Sequence, residues 1–210
     1  MNRLFKYLSV FGVLLAFAAY FFRLFEVNGY VKAIASLTDP SSYFLALGKI
    51  YKIDYFFIAL IMVSCLVSFI LINKEQKMPL FSVSLLCIGL AILERIYLVT
   101  ATSIAAKRTM DINISITNIV NIVVLALGLL SVVISILIER FLDNKPLSFA
   151  FSLFSIAAIT ASSLISVYAA IINGATVHFI LFSIFFLLAI VLFVMEFILR
   201  FKAKVNPEAK

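Results

Sequence analysis

Tryptophan is absent from this chain, histidine occurs once, and only 10 of its 210 residues are acidic. Without tryptophan, tyrosine must supply any aromatic anchoring at a boundary between water and lipid. One histidine, His178, cannot provide the paired ligands of a membrane haem. Cys65 and Cys87 form no CxxC or other ligand spacing, so the cysteines match neither a zinc site nor a redox motif. No metal or cofactor is expected. The chain also lacks HExxH, GxSxG, a P-loop and a glycine-rich dinucleotide fingerprint. Sparse catalytic equipment leads to the expectation that the protein is not an enzyme and has no catalytic residues.

Charge is scarce as well, at 13% of residues, against about a quarter in a soluble domain. Hydrophobic residues make up 65%, more apolar surface than a domain of this size can hide from water. Apolar runs long enough to cross a bilayer recur from end to end, since a helix needs about 20 such residues to do so. Six helices are predicted, at about 4–25, 55–73, 79–102, 117–138, 147–172 and 177–200. Asn173-Gly174 is turn chemistry and divides the last long run in two. Near the amino terminus, Arg3 and Lys6 precede an apolar run, and Ala16-Phe17-Ala18 looks like a signal-peptidase site. The run continues to Phe25, so it is read as an uncleaved first helix. The runs lack the period-two alternation of a membrane barrel. The expected fold is an all-α polytopic transmembrane bundle forming a single integral membrane domain.

The net charge of +7 is distributed among the connections and forms no continuous basic face, so no nucleic-acid partner is expected. Most lysines and arginines fall on the side that holds both termini, packed into short segments. The positive-inside rule then places both termini in the cytoplasm, in a plasma or inner membrane. Arg23 is read as reaching the outer interface from the end of the first helix. Tyr20, Tyr30, Tyr43, Tyr51, Tyr55 and Tyr168 are read as anchors at that outer boundary. Between Glu26 and Asp54 an outer loop is expected, with Asp39 as a helix cap and Pro40 at the first helical position. Tyr43, Phe44, Leu47, Ile50 and Tyr51 share one face of this 40–52 segment, which suits a helix lying on the outer leaflet or covering the bundle mouth.

A shift of 67 positions superposes Pro79-Leu80 on Pro146-Leu147, Ser64 on Ser131, Ser68 on Ser135 and Ala91-Ile92 on Ala158-Ile159. Helices two and three would then repeat as helices four and five in the same orientation, about an axis along the membrane normal. The alternative is chance, because Leu, Ile, Ala and Ser dominate every span.

Glu94 and Arg95 are the sharpest polar signal, because charges inside a span are costly unless they face protein, water or a partner. Neighbouring helix positions point about 100° apart, so the two are not expected to satisfy each other. One reading makes them a solute- or ion-coordinating pair. In the other, Arg95 snorkels outward and Glu94 meets a hydroxyl or Lys107. Ser64, Ser68, Ser131 and Ser135 form rows at four-residue spacing, a polar lining or simply close packing. Ala158, Ser162, Ser166 and Ala170 repeat at the same interval and form a candidate helix-packing face. Cys65 and Cys87 are read as small side chains filling helix contacts, with a disulfide geometrically open between antiparallel neighbours. Asp54 and Asn121 are read as helix caps, and Glu196 as the partner of Arg200 at the interface. Asn113-Ile114-Ser115 fits a glycosylation sequon. No two acidic residues share an evident intramembrane site that would suggest an aspartyl protease.

Two functions remain. The preferred one is a non-catalytic membrane subunit or partner within a larger assembly, or a self-associating protein. The rival is a small-solute transporter with its site near Glu94 and Arg95.

Overall fold

A computed structural model describes residues 3–73, 80–142, 145–174 and 176–205. Among them every regular element is helical: α1 (Arg3–Ala35), α2 (Ser42–Asn73), α3 (Leu80–Met110), α4 (Ile116–Phe141), α5 (Lys145–Asn173) and α6 (Val177–Val205). All six are long and apolar enough to cross a membrane.

The breaks fall where backbone chemistry requires them. Gly174 takes φ +83°, a left-handed conformation open to glycine, and ends the run between α5 and α6. Ser115 caps α4 by accepting a hydrogen bond from the Asn118 N–H at 3.1 Å. That capping serine is also the third residue of the sequon. The helix start expected at Asp39-Pro40 lies slightly later: α2 begins at Ser42, and the Leu45 N–H bonds the Ser41 carbonyl.

Three helices run well past their apolar windows. At 33, 32 and 31 residues, α1, α2 and α3 each measure about 50 Å, against a hydrocarbon core of about 30 Å. Hydropathy marks the part that lipid can cover, whereas the helix continues until proline or turn chemistry stops it. Consequently the long outer loop between Glu26 and Asp54 does not exist, and the connection occupies only residues 36–41. The amphipathic 40–52 segment is the first part of α2. Its apolar face packs on protein: Tyr43, Ala46, Leu47 and Ile50 lie against Leu98, Ala101 and Ala105 of α3. The face was legible, but its partner is a neighbouring helix and not the leaflet.

Each helix packs on the next, α1 closes the ring by packing on α6, and α3 also reaches α5. Along the α1–α6 contact, Gly12 meets Phe193 and Phe25 stacks on His178, so the two helices run antiparallel. The core between them holds Tyr20, Phe182, Phe186 and Phe193, continued by Ile58, Ile61, Leu85, Ile92, Leu125 and Ile159. Outward faces are equally apolar. On α6, Ile180, Ile184, Leu188, Val191 and Met195 are about half exposed at helical spacing, the pattern of a helix sealed by protein on one side and lipid on the other.

Candidate functional site: a buried ionic cluster

The buried stripes of α1, α2 and α3 each carry charge where an apolar residue would otherwise sit. In α1 the stripe passes through Ala16, Ala19, Tyr20, Arg23, Glu26 and Val27, three or four residues apart and all buried. In α2 it passes through Ile50, Asp54, Ile58, Ile61, Cys65 and Ser68. In α3 Glu94 and Arg95 lie between Ala91-Ile92 and Leu98. Packing the three stripes together gathers five ionisable side chains at one level.

Arg23 is the hub. Its Nη1 donates to Glu26 Oε2 at 2.7 Å, its Nη2 donates to Asp54 Oδ2 at 2.9 Å, and its Nε lies 3.6 Å from Glu94 Oε1. The Tyr20 hydroxyl donates to Glu94 Oε2 at 3.3 Å, and Arg95 Nε lies 3.9 Å from the same oxygen. Arg95 then reaches α5 and α6: its Nη1 donates to Ser166 Oγ at 3.4 Å, and its Cζ lies 5.3 Å from the centroid of the Phe182 ring. Asp54 and Glu94 are fully buried, and Arg23, Glu26 and Arg95 are nearly so. Phe182 is five residues into α6 and Ser166 is seven residues before the end of α5. The cluster therefore sits about 10 Å beneath the α5–α6 turn, within the span.

Two guanidinium groups face three carboxylates, a surplus of one negative charge with all ionised. Asp54 Oδ1 and Glu94 Oε1 have no hydrogen-bond partner, nor have the Nε atoms of the two arginines. The 3.6 and 3.9 Å contacts are Coulombic, beyond the range of a good hydrogen bond. Below the cluster, a cavity of about 20 Å³ is bounded by Tyr20, Ala16, Ile61, Cys65, Cys87 and Phe186. That is room for about one water molecule, with almost no polar wall to hold it.

Several expectations are corrected. Arg23 does not reach water, because three carboxylates hold it inside. Asp54 is no cap: with α2 beginning at Ser42, it lies well inside the helix. Asn121 is likewise buried within α4, whose cap is Ser115. Tyr20 faces the core and Glu94, not the boundary. Arg95 turns inward to Ser166 and Phe182. Adjacent Glu94 and Arg95 do approach each other, because long side chains close the angle between their stripes. Lys107 cannot answer Glu94, since it is exposed on the same helix about 20 Å farther along. The hydroxyl partner expected for Glu94 is supplied by Tyr20. Three acidic residues do converge on one intramembrane site, although each faces a guanidinium. Glu196 is fully buried rather than interfacial, and the α1–α6 register sets it level with Ser9. The Arg200 side chain lies outside the described residues.

The serine rows go to helix contacts. Ser64 and Ser68 lie 3.4 and 3.5 Å from the Cys87 sulfur. Ser135 bonds Ser148 and Ser152 across the α4–α5 contact at 2.9 and 2.7 Å, and Ser131 bonds its own helix at the Leu127 carbonyl. Of the candidate packing face, Ala158 lies against Gly128 of α4, Ser162 is fully buried, Ser166 meets Arg95, and Ala170 is half-buried. Neither row meets the ionic cluster except through Ser166. Outside the bundle, a groove of about 440 Å³ runs between α4 and α5, lined by Leu127, Leu130, Ile134, Leu147, Phe151 and Phe154.

No family model, no curated protein and no solved structure matches the chain.

Proposed function

We propose that this is a polytopic integral membrane protein, both termini cytoplasmic, acting as a non-catalytic subunit or partner in a membrane assembly. The observation that carries this reading is the sealing of its charges: five ionisable groups are enclosed and largely answered by one another. Buried ion pairs add little net stability over well-packed apolar residues, and their best-attested role is to fix which partners meet in which register. Here they would fix α1 against α2 and α3. Each carboxylate faces a guanidinium, which leaves none as a free base and favours a non-catalytic role. The cavity that touches Tyr20 is small and almost wholly apolar in its walls, which argues against a water-filled route. The α4–α5 groove offers an outward apolar surface to a lipid chain or a neighbouring helix. Purification in a mild detergent, with identification of all that co-purifies, tests the reading. A stoichiometric membrane-protein partner or a stable homo-oligomer is the expected result. A solitary monomer that elutes alone at every detergent concentration would overturn it.

A small-solute transporter is the second reading, favoured by the surplus carboxylate and the unpartnered Asp54 and Glu94 oxygens. Intramembrane ionisable groups commonly mark ion and proton routes. On this reading Glu94→Gln abolishes uptake of the solute while membrane insertion is unchanged. The internal repeat would belong to the same architecture, with the site between the repeated units.

A further inference from the structure

We propose that the ionic cluster is a proton-binding site, in which one exchangeable proton is held between Asp54 Oδ1 and Glu94 Oε1 and makes the five groups electrically neutral. The inference rests on neither functional reading, because a subunit and a transporter would share the same cluster.

Charge count is the first observation. Arg23 and Arg95 face Glu26, Asp54 and Glu94. The helices packed around them add the Tyr20 hydroxyl from α1, the Ser166 hydroxyl from α5 and the Phe182 ring from α6. Tyr97 of α3 commits its hydroxyl to the Ile50 carbonyl, one turn before Asp54. None of these brings a compensating charge. With every carboxyl ionised, one negative charge would stand uncompensated inside the span, an arrangement that buried groups escape by pairing or by taking up a proton.

The second observation is a pair of orphan oxygens. Asp54 Oδ1 and Glu94 Oε1 both lack a hydrogen-bond donor, on side chains with no exposure at all. Their carboxylates come from different helices to one guanidinium. Asp54 Oδ2 accepts from Arg23 Nη2 at 2.9 Å, and Glu94 Oε1 lies 3.6 Å from Arg23 Nε. Nη2 and Nε are bonded to the same carbon, so the two carboxylates stand side by side. Ionised carboxylates only accept, and neither oxygen can answer the other. A single proton answers both: Asp54 Oδ1 becomes a donor and Glu94 Oε1 its acceptor. The proton belongs on Asp54, since Glu94 keeps the Tyr20 hydroxyl and contacts with both arginines. Binding forms one O–H bond and cancels the surplus charge; release restores it.

Infrared spectroscopy of the full chain in lipid tests this. At neutral pH the unsubstituted protein should show a carboxylic-acid carbonyl band that shifts on transfer to heavy water. Isotopic labelling of the aspartate carboxyls should shift the same band, which assigns it without any substitution. Raising the pH should convert it to carboxylate absorption. Asp54→Asn, Glu94→Gln and Glu26→Gln each leave two carboxylates opposite two guanidinium groups, so each should abolish the band. Glu196→Gln should leave it intact, because that buried carboxyl lies level with Ser9, about 20 Å away along α1. Absence of an exchangeable acid band at neutral pH would overturn the proposal. So would a band that ignores the aspartate label, or one that survives Glu94→Gln. The unsubstituted, labelled protein decides the main point, so a variant that folds poorly leaves the test intact. Solute uptake is not measured, and the result therefore stands apart from the choice between subunit and transporter.

Discussion

Arg23 holds the largest share of the buried charge, since three carboxylates face it and, among the described residues, only Arg95 offers them a second cation. Removing one partner of a buried pair costs about 3–5 kcal/mol, because the other charge is left without compensation. Arg23→Leu should therefore lower the thermal unfolding midpoint in detergent sharply or abolish membrane accumulation. Arg23→Lys should recover only part of the loss, because an ammonium group cannot reproduce the fork that reaches Glu26 and Asp54 at once. Glu94→Gln should be much milder, since it removes the surplus negative charge and keeps an acceptor for Tyr20. Equal midpoints for Arg23→Leu and Glu94→Gln would show that the hub assignment is wrong. Residue identity alone revealed Glu94 and Arg95, because charge inside a hydrophobic run is conspicuous. It concealed Arg23, Glu26 and Asp54, which stand near the ends of their apolar runs and look like ordinary boundary residues. The missed signal was periodic: Asp54 keeps helical spacing with Ile50, Ile58 and Ile61, a stripe that appears once α2 is extended to Ser42.

Between elements, close approach is set by the smallest side chains. A Cβ on Gly128 would lie 2.6 Å from the Ala158 Cβ, so α4 and α5 can touch there only without it. Gly128→Ala should destabilise the protein by about 1–3 kcal/mol through overpacking. Gly29 offers the contrast, with nothing within 4 Å of an added Cβ near the C-terminal end of α1. Gly29→Ala should be neutral or stabilise by up to about 1 kcal/mol, the helix-propensity difference. Thermal unfolding of the two variants side by side checks both, and the same sign for both would refute the close-approach argument. Ser115→Ala removes the α4 cap and should cost about 1 kcal/mol, seen as faster amide exchange in the first turn of α4. Helix existence was legible from apolar run length. Helix ends were not, because Lys32, Lys49 and Lys107 are polar yet form helix well, and hydropathy stops before the backbone does.

For the whole molecule, the membrane-facing exterior and the charge balance of the connections make a topology that can be measured. Fluorescent-protein fusions at either terminus should mature in the cytoplasm, whereas an insertion in the α3–α4 connection at residues 111–115 should not. Maturation at that connection would reverse the orientation. A cysteine placed at exposed Lys107 should react with a membrane-impermeant reagent from the outside only. The extension of α1, α2 and α3 beyond their apolar windows makes that face accessible to the reagent.

Composition by itself determined the solvent of this protein: 65% hydrophobic residues in six long runs admit no arrangement that water could cover. It also determined the helical class, since lipid tolerates only helices and closed barrels, and these runs lack the period-two alternation of a barrel. Tertiary structure alone decided which charges meet. Pairing depends on how three helices rotate and slide against one another, and side chains separated by 31 and 71 residues in sequence come within bonding distance only after that packing is set. Local pattern specifies a face; the geometry between faces belongs to the fold.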